Sequence, residues 1–497
     1  MRLLDLSDTT ADAVRSAGAF LSDLMTPSIR LGVTGFARSG KTVFITALVR
    51  SLLAGGRLPF FAALADGRVT RAYLEPQPND ELPRFAYEEH LRQLAQDPPL
   101  WPVSTRRISQ LRISIEFVSA SAVRRLLRSG RVHLDIVDYP GEWLIDLSLL
   151  DLSFADWSRQ AIAKATAAAA RPAARDWLAY AGPLAAAQPA DEATAQRGAE
   201  LYASYLRESR EAEPARVAPG PGRFLWPGDL AGSPLLTFFP LSVDGDGDRR
   251  RGSLGAMLAR RFESYKALVV RPFFREHFAR LDRQIVLIDA LSALNGGPAA
   301  LANQAEALAA MLACFRPGQN TWLSSVLGGR RIDRVLFAAT KADHLHHSNH
   351  DRLEALLGVL VEQAIARTSS AGAEVAVLAL AALRATREAE ASSSAGPLPC
   401  IVGVPMPGER LGGRVFDGRS ETALFPGDLP LAVELAQLTR AGKVEPARLA
   451  VAKVDPVSFL SFRPPRLALA SAAGDAVAWP HIRLDRAIDY LIGDQLA

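Results

Sequence analysis

Residues 29–50 read IRLGVTGFARSGKTVFITALVR, and the order of features in that stretch decides the fold. An apolar run from Ile29 to Val33 meets Gly35-x-x-x-x-Gly40-Lys41-Thr42, after which Val43, Phe44, Ala47 and Leu48 recur at helical spacing. The stretch therefore predicts strand, glycine loop and helix in succession. Gly35 and Gly40 permit turns that a Cβ would obstruct, so successive N–H groups can converge on phosphate oxygens at the positive end of a helix. Ala37, Arg38 and Ser39 fill the loop between them. Lys41 is expected to reach the β- and γ-phosphates and the Thr42 hydroxyl to hold Mg²⁺. A glycine turn that merely caps a helix is the competing reading, and the flanking strand and helix count against it.

Outward from the loop, residues 9–25 place Ala13, Val14, Ala17, Phe20, Leu21 and Leu24 on one face, which predicts an amphipathic helix packed on the core. Residues 57–103 carry seven prolines around a helical piece near Ala86–Leu94 and read as an inserted excursion. Ile108 to Phe117 alternates apolar and polar side chains and Val132 to Val137 follows a Ser129-Gly130 turn, predicting an antiparallel pair. The second of these strands runs into Asp138-Tyr-Pro-Gly141-Glu142-Trp143. An Asp at the carboxyl end of a core strand can hold the water shell of Mg²⁺, and the Gly141 N–H can meet a γ-phosphate. Asp-x-x-Gly is weak alone; its weight comes from its place downstream of the glycine loop.

Residues 144–280 are rich in Ala, Leu and Arg and predict helices over 154–170, 192–210 and 254–280. The loop Asp244-Gly-Asp-Gly-Asp248 has calcium-like ligands, but Arg249, Arg250 and Arg251 follow and no Glu stands at the twelfth position, so it reads as a solvated turn. Near-continuous apolar strands then recur at 284–289, 334–339 and 374–380 with helix-length spacers, the grammar of a parallel sheet. The middle strand ends at Thr340-Lys341-Ala342-Asp343. There a terminal Asp can accept hydrogen bonds from guanine N1 and its exocyclic amine while the Lys stem packs on the base. Adenine offers the wrong donor pattern to that carboxylate, and the backbone at Ala382-Leu383 could meet guanine O6. His344, His346, His347 and His350 read poorly as a metal site, since no cysteine or well-placed acid accompanies them.

The chain of 497 residues is 49% hydrophobic, enough for a large core in one big domain or two to three smaller ones. Its net charge of +4 gives nucleic-acid binding little support. Cys314 and Cys400 are far apart and form no metal pattern, which fits a reducing compartment. Acidic residues among the first 27 positions argue against a secretory signal, and no uncharged run approaches membrane-spanning length. A cytosolic protein is expected, with peripheral membrane attachment left open.

Gly35–Thr42, Asp138–Trp143, Ile288-Asp-Ala-Leu-Ser-Ala-Leu-Asn295, Thr340–Asp343 and Pro480-His-Ile-Arg-Leu-Asp-Arg-Ala487 together resemble the YcjX family of bacterial P-loop proteins, over nearly the whole chain. The resemblance implies an α/β, Ras-like P-loop core with a mixed, mostly parallel sheet, a large helical insertion and a small C-terminal extension with β-elements. It implies GTP and GDP as substrate and product, Mg²⁺ as cofactor, a link to bacterial stress responses and a membrane-protein partner that no residue identifies. The expected divisions are 1–143 for the first part of the core, 144–280 for the insertion, 281–395 for the second part and 396–497 for the accessory region.

Three functions compete on the residues: an Mg²⁺-dependent GTPase switch, an ATPase of the same fold, and a nucleotide-bound scaffold with little turnover. Thr340–Asp343 argues against the second. Thr105, just before the edge strand, is the candidate switch threonine for Mg²⁺, with Ser104 as its substitute. Glu142 stands where many such enzymes place a water-orienting Gln; as a carboxylate it adds charge beside phosphate, so slow turnover is expected. Arg38, inside the loop, could offset that charge as a cis arginine or simply face solvent.

Overall fold

The computed structural model describes residues 26–103, 107–120, 130–212, 220–243, 250–311, 332–370, 372–393, 396–411, 413–429, 439–440, 443–444, 458–470 and 476–497. The amphipathic segment at 9–25, Ser104, Thr105 and the Asp244–Asp248 loop lie outside these residues.

A seven-stranded sheet organises the chain. In chain order its strands are β1 (Ser28–Gly35), β2 (Val69–Glu75), β3 (Ser109–Phe117), β4 (Arg131–Asp138), β5 (Arg283–Ile288), β6 (Arg334–Ala339) and β7 (Glu374–Ala379), and in space they run β2-β3-β4-β1-β5-β6-β7. From β4 to β7 the neighbours are parallel, while β3 is antiparallel to β4 and β2 to β3. The central strands are apolar on both sides because both faces are covered. Along β5, Ile285 and Leu287 join one hydrophobic cluster and Val286 and Ile288 the other, the two-residue period of a strand. The principal helices are α1 (Lys41–Leu53), α2 (Tyr87–Ala95), α3 (Phe154–Ala167), α4 (Pro172–Ala181), α5 (Glu192–Ala212), α6 (Leu254–Tyr265), α7 (Gly297–Met311), α8 (His350–Ser370) and α9 (Leu484–Ile492).

One cluster joins β1 and β4 to α1 and α9, so the C-terminal helix does pack back on the core, through Leu484, Ile488 and Leu491. The other joins the opposite sheet face to α3–α6 through Tyr139, Trp157, Tyr202, Phe238 and Phe262. The helical insertion thus shares its core with the sheet. Residues 396–424 form small β-elements as expected: Gly396–Gly403 pairs antiparallel with Arg387–Ser393 on one side and Thr422–Leu424 on the other.

Two sequence expectations change. The excursion at 57–103 supplies the edge strand β2, which sequence reading missed because Arg71 and Glu75 interrupt its apolar pattern and it is covered only in part. The single helix expected over 254–280 is broken: α6 passes through a π turn at Lys266–Val270 into Arg271–Glu276 and a 3₁₀ turn at Phe278–Arg280. Pro272 has no N–H to continue the ladder, and the wider turn accommodates it.

The insertion is pinned behind the Asp138–Trp143 turn by Asp146, whose Oδ1 accepts the Gly222 N–H and whose Oδ2 accepts the Tyr265 hydroxyl, each at 2.6 Å. Burial pushes the Asp146 carboxyl up to about 6, with the two hydrogen bonds and Arg223 pulling the other way. A raised carboxyl keeps its proton in the folded state after the unfolded chain has lost it. Its stabilising contribution is therefore complete below about pH 4 and is lost as pH rises through 6. Asp146→Asn, which keeps an acceptor for Gly222 and offers an N–H to Tyr265, should stabilise the protein at pH 7.5 by ~2–3 kcal/mol relative to wild type and show no gain at pH 4. Thermal melts of both proteins at the two pH values check this.

Candidate nucleotide site

The loop after β1 and the turn after β4 are built against one another. β1 and β4 are adjacent and parallel, with Val33 opposite Asp138, so both loops open at the same sheet edge. The Gly141 N–H donates to the Gly35 carbonyl at 3.2 Å. A Cβ on Gly141 would stand 2.8 Å from the Gly35 carbonyl, and one on Gly35 would stand 2.3 Å from the Leu287 carbonyl, where φ is also +153°. Only glycine fits either place. Gly40 is left-handed at φ 88° and starts α1, as is Arg38 at 67°, so the loop bends without a Cβ at one of its two sharp points.

Lys41 is buried, and its Nζ donates to the carbonyls of Gly35 at 2.5 Å and Phe36 at 3.3 Å. Burial lowers its pKa, the carboxylates of Glu142 and Asp138 hold it up, and Arg210 adds to the depression. Thr42 and Asp138 are both buried at the same mouth. Glu142 is 2% exposed, and its Oε1 accepts the Ala37 N–H at 2.9 Å. Ser39 is buried with a hydroxyl that has no hydrogen-bond partner among the described residues. Arg38 is exposed and lines a cavity of about 1190 Å³ between loop and insertion.

At the far end of the sheet, β6 delivers Thr340–Asp343. The Thr340 N–H meets the Ile288 carbonyl and the Ala342 N–H the Leu380 carbonyl, which fixes the turn between β5 and β7. Lys341 is left-handed at φ 62°, and its Nζ lies 2.5 Å from Asp289 Oδ2. The buried Asp343 accepts the Ala385 N–H on Oδ2 at 2.8 Å, which ties it to the segment holding Ala382 and Leu383. Leu383 packs with Leu94 and Trp479, and Ala382 is partly buried against the α1 cluster.

A family model described as the YcjX-like family, DUF463, matches residues 29–496. The chain belongs to that family. It is 36% identical over 479 residues to the "Ras-like GTPase YcjX" of Escherichia coli (strain K12), covering 94% of this chain and 96% of that protein. Against the protein of the same name from Shewanella oneidensis (strain MR-1) the identity is 32% over 488 residues, covering 94% of each. The mixed, mostly parallel sheet agrees with the Ras-like name those relatives carry. Among the described residues of this YcjX-like chain, no helix is long and apolar enough to cross a membrane.

Sequence reasoning missed three features of the site. Arg210, on α5, lies 3.9 Å from Glu142 Oε1 and donates to the Ala37 carbonyl at 3.2 Å. No local pattern in an Ala- and Glu-rich helix marks it. The C-terminal segment reaches the Thr340–Asp343 turn: Phe462 stands edge-on to His344 at 5.0 Å, and its carbonyl accepts Trp101 Nε1 at 2.7 Å. The histidine run does have an acid beside it, since Glu388 Oε2 sits 2.8 Å from His347 Nδ1 and 4.0 Å from His346 Nε2. Glu388 is 41 residues from His347 and comes near only through the fold. His347 is largely exposed and Arg384 approaches the same carboxylate at 3.8 Å, which disfavours a cation there.

Proposed function

We propose that this protein binds guanine nucleotide at the Gly35–Thr42 loop and hydrolyses GTP to GDP and phosphate with Mg²⁺, changing conformation with the γ-phosphate. The observation that carries this reading is the Gly35–Gly141 junction. It brings the carboxylates of Asp138 and Glu142 to the ammonium of Lys41, while Asp343 stands one turn past a strand of the same sheet. Lys41, already between two carbonyls, neutralises phosphate; the N–H groups of Ala37, Ser39 and Gly141, which here donate to Glu142 Oε1 and to the Phe36 and Gly35 carbonyls, turn to phosphate oxygens when nucleotide enters, together with the backbone of Gly40. Asp138 and the Thr42 hydroxyl form an oxygen-only, hard donor set that fits Mg²⁺, and both are buried at the loop mouth. That ion would supply charge neutralisation on the β- and γ-oxygens. Thr105 is proposed as a further ligand in the triphosphate state. Asp343 reads the base edge, with the Lys341 stem and the Ala382–Leu383 backbone beside it. The resemblance to stress-linked relatives is the ground for placing the switch in a bacterial stress response.

Glu142 is proposed to orient the attacking water, and its charge makes intrinsic turnover slow. Glu142→Ala should lower single-turnover GTP hydrolysis at least about tenfold with little change in GTP affinity. A rate equal to or above wild type would make Glu142 a structural residue of the turn. Calorimetric titration with GDP, GTP and ADP, together with phosphate release from GTP, tests the function itself. Guanine nucleotides should bind at least about a hundredfold tighter than ADP; equal binding of ADP would overturn the reading.

A further inference from the structure

We propose that Arg210, delivered by the helical insertion, is the catalytic arginine of this site, placed to neutralise the γ-phosphoryl oxygens as the bond to the leaving GDP breaks. This rests on the GTP-hydrolysing reading above and adds the residue that reading lacks. Four observations carry it.

Arg210 lies in the last turn of α5 (Glu192–Ala212), far from the glycine loop in sequence, yet its guanidinium donates to the loop's own Ala37 carbonyl at 3.2 Å. A guanidinium within hydrogen-bond reach of the loop backbone is within reach of a phosphate cradled there. It also faces the catalytic turn: Glu142 Oε1, which accepts the Ala37 N–H, is 3.9 Å away. Arg210, Ala37 and Glu142 thus close a triangle over the mouth of the loop.

Secondly, the side chain is 12% exposed, and among the described residues one of its five N–H donors makes a hydrogen bond, to a neutral carbonyl. A half-buried, permanently charged fork so incompletely satisfied suits an anion with several acceptor oxygens. Thirdly, Arg210 and Arg38 line the 1190 Å³ cavity with Arg107, Arg207 and Arg223, against two glutamates, so the space beside the loop is electropositive. Burial and Arg38 lower the Arg210 pKa while Glu142 raises it, which places all three groups in one field with Lys41. Fourthly, Arg38 is exposed whereas the Arg210 side chain is only 12% exposed, so the covered guanidinium that bonds the loop comes from the insertion and not from the loop.

The step is hydrolysis. A water oxygen bonds to the γ-phosphorus, the bond from that phosphorus to the β–γ bridging oxygen breaks with its electron pair passing to GDP, and both water protons leave with the inorganic phosphate as dihydrogen phosphate. Negative charge grows on the bridging oxygen and spreads over the γ-oxygens, where a guanidinium acts most strongly in the transition state. Glu142 would hold Arg210 in place before phosphate arrives, so the same carboxylate both orients water and parks the cation.

The test uses the full chain and Mg²⁺. Wild type, Arg210→Ala, Arg210→Gln and Arg210→Lys are loaded with GTP, and single-turnover hydrolysis, GDP affinity, melting temperature and binding of GDP with aluminium fluoride are measured. Arg210→Ala and Arg210→Gln should lose about a hundredfold or more in rate, with GDP affinity within about threefold of wild type, and should fail to form the aluminium fluoride complex that wild type forms. Arg210→Lys should recover part of the rate, because it restores charge without the fork. Rates within about threefold of wild type would overturn the proposal and leave Arg210 a latch between insertion and loop, as would lost rate with the aluminium fluoride complex intact. If the alanine variant does not fold, the glutamine and lysine variants decide. Failure of wild type to hydrolyse GTP would instead remove the underlying reading.

Discussion

Lys41→Ala is expected to weaken GDP and GTP at least about three-hundredfold, since two charge-assisted hydrogen bonds to phosphate, each ~1.5–3 kcal/mol, are lost together. The sequence suggested a loop lysine facing phosphate, and Lys41 is in addition buried and braces the loop through the Gly35 and Phe36 carbonyls. Its removal therefore touches the nucleotide-free protein as well. Two carbonyls lose a donor, while a desolvated ammonium is no longer buried, and the balance should stay within ~1–2 kcal/mol. Thermal shift separates the two effects: GDP at a hundredfold above the wild-type dissociation constant should stabilise wild type by about 2.7 kcal/mol and leave the variant almost unmoved. An undiminished GDP shift in the variant would remove phosphate from the Gly35–Thr42 loop.

The second large effect is at the base. Asp343 Oδ2 is held by the Ala385 N–H, which leaves Oδ1 as the oxygen free to turn to a ligand. In Asp343→Asn the amide oxygen must keep the Ala385 N–H, so the NH₂ group faces the base. Two donors then confront the N1–H and amino group of guanine, whereas the C2 carbonyl of xanthine accepts from that amide. GDP affinity should fall about a hundredfold or more, roughly 3 kcal/mol, while xanthosine diphosphate gains. Titration of both proteins with GDP, xanthosine diphosphate and ADP reads this directly, and an unchanged order of preference would show that the base is read elsewhere.

The parallel strands of the sheet were legible because fully covered strands are apolar throughout: β6 begins and ends at Arg334 and Ala339, where the pattern places it, while β3 was found from its alternating sequence although Gln110 and Ser114 are buried. Gly35 and Gly141 were legible because close approach leaves no room for a Cβ, and Gly40 because its left-handed φ of 88° favours glycine. β2 was not, since a half-covered edge strand can carry Arg71 and Glu75 without burying them. Arg210 and Phe462 were hidden for a different reason. Each touches a residue more than a hundred positions away, Phe462 against His344 and Arg210 against Ala37, and no spacing rule spans such separations. The helical insertion was recognisable by composition, but its shared core with the sheet depends on which face of each helix turns inward.

The seat of α9 beside α1 also has a temporal meaning. Ile29, Leu31 and Val33 belong to the same hydrophobic cluster as Leu491, Ile492 and Leu496, while Arg283 bonds Asp494 and Ser119 bonds the Ala497 carbonyl. A ribosome adding about 5–20 residues per second would release the glycine loop tens of seconds before the segment that closes its rear face. The nascent amino-terminal half must wait with that apolar face uncovered, a surface suited to chaperone capture. On the proposed reading, nucleotide loading then follows the emergence of residues 484–496 rather than that of the glycine loop.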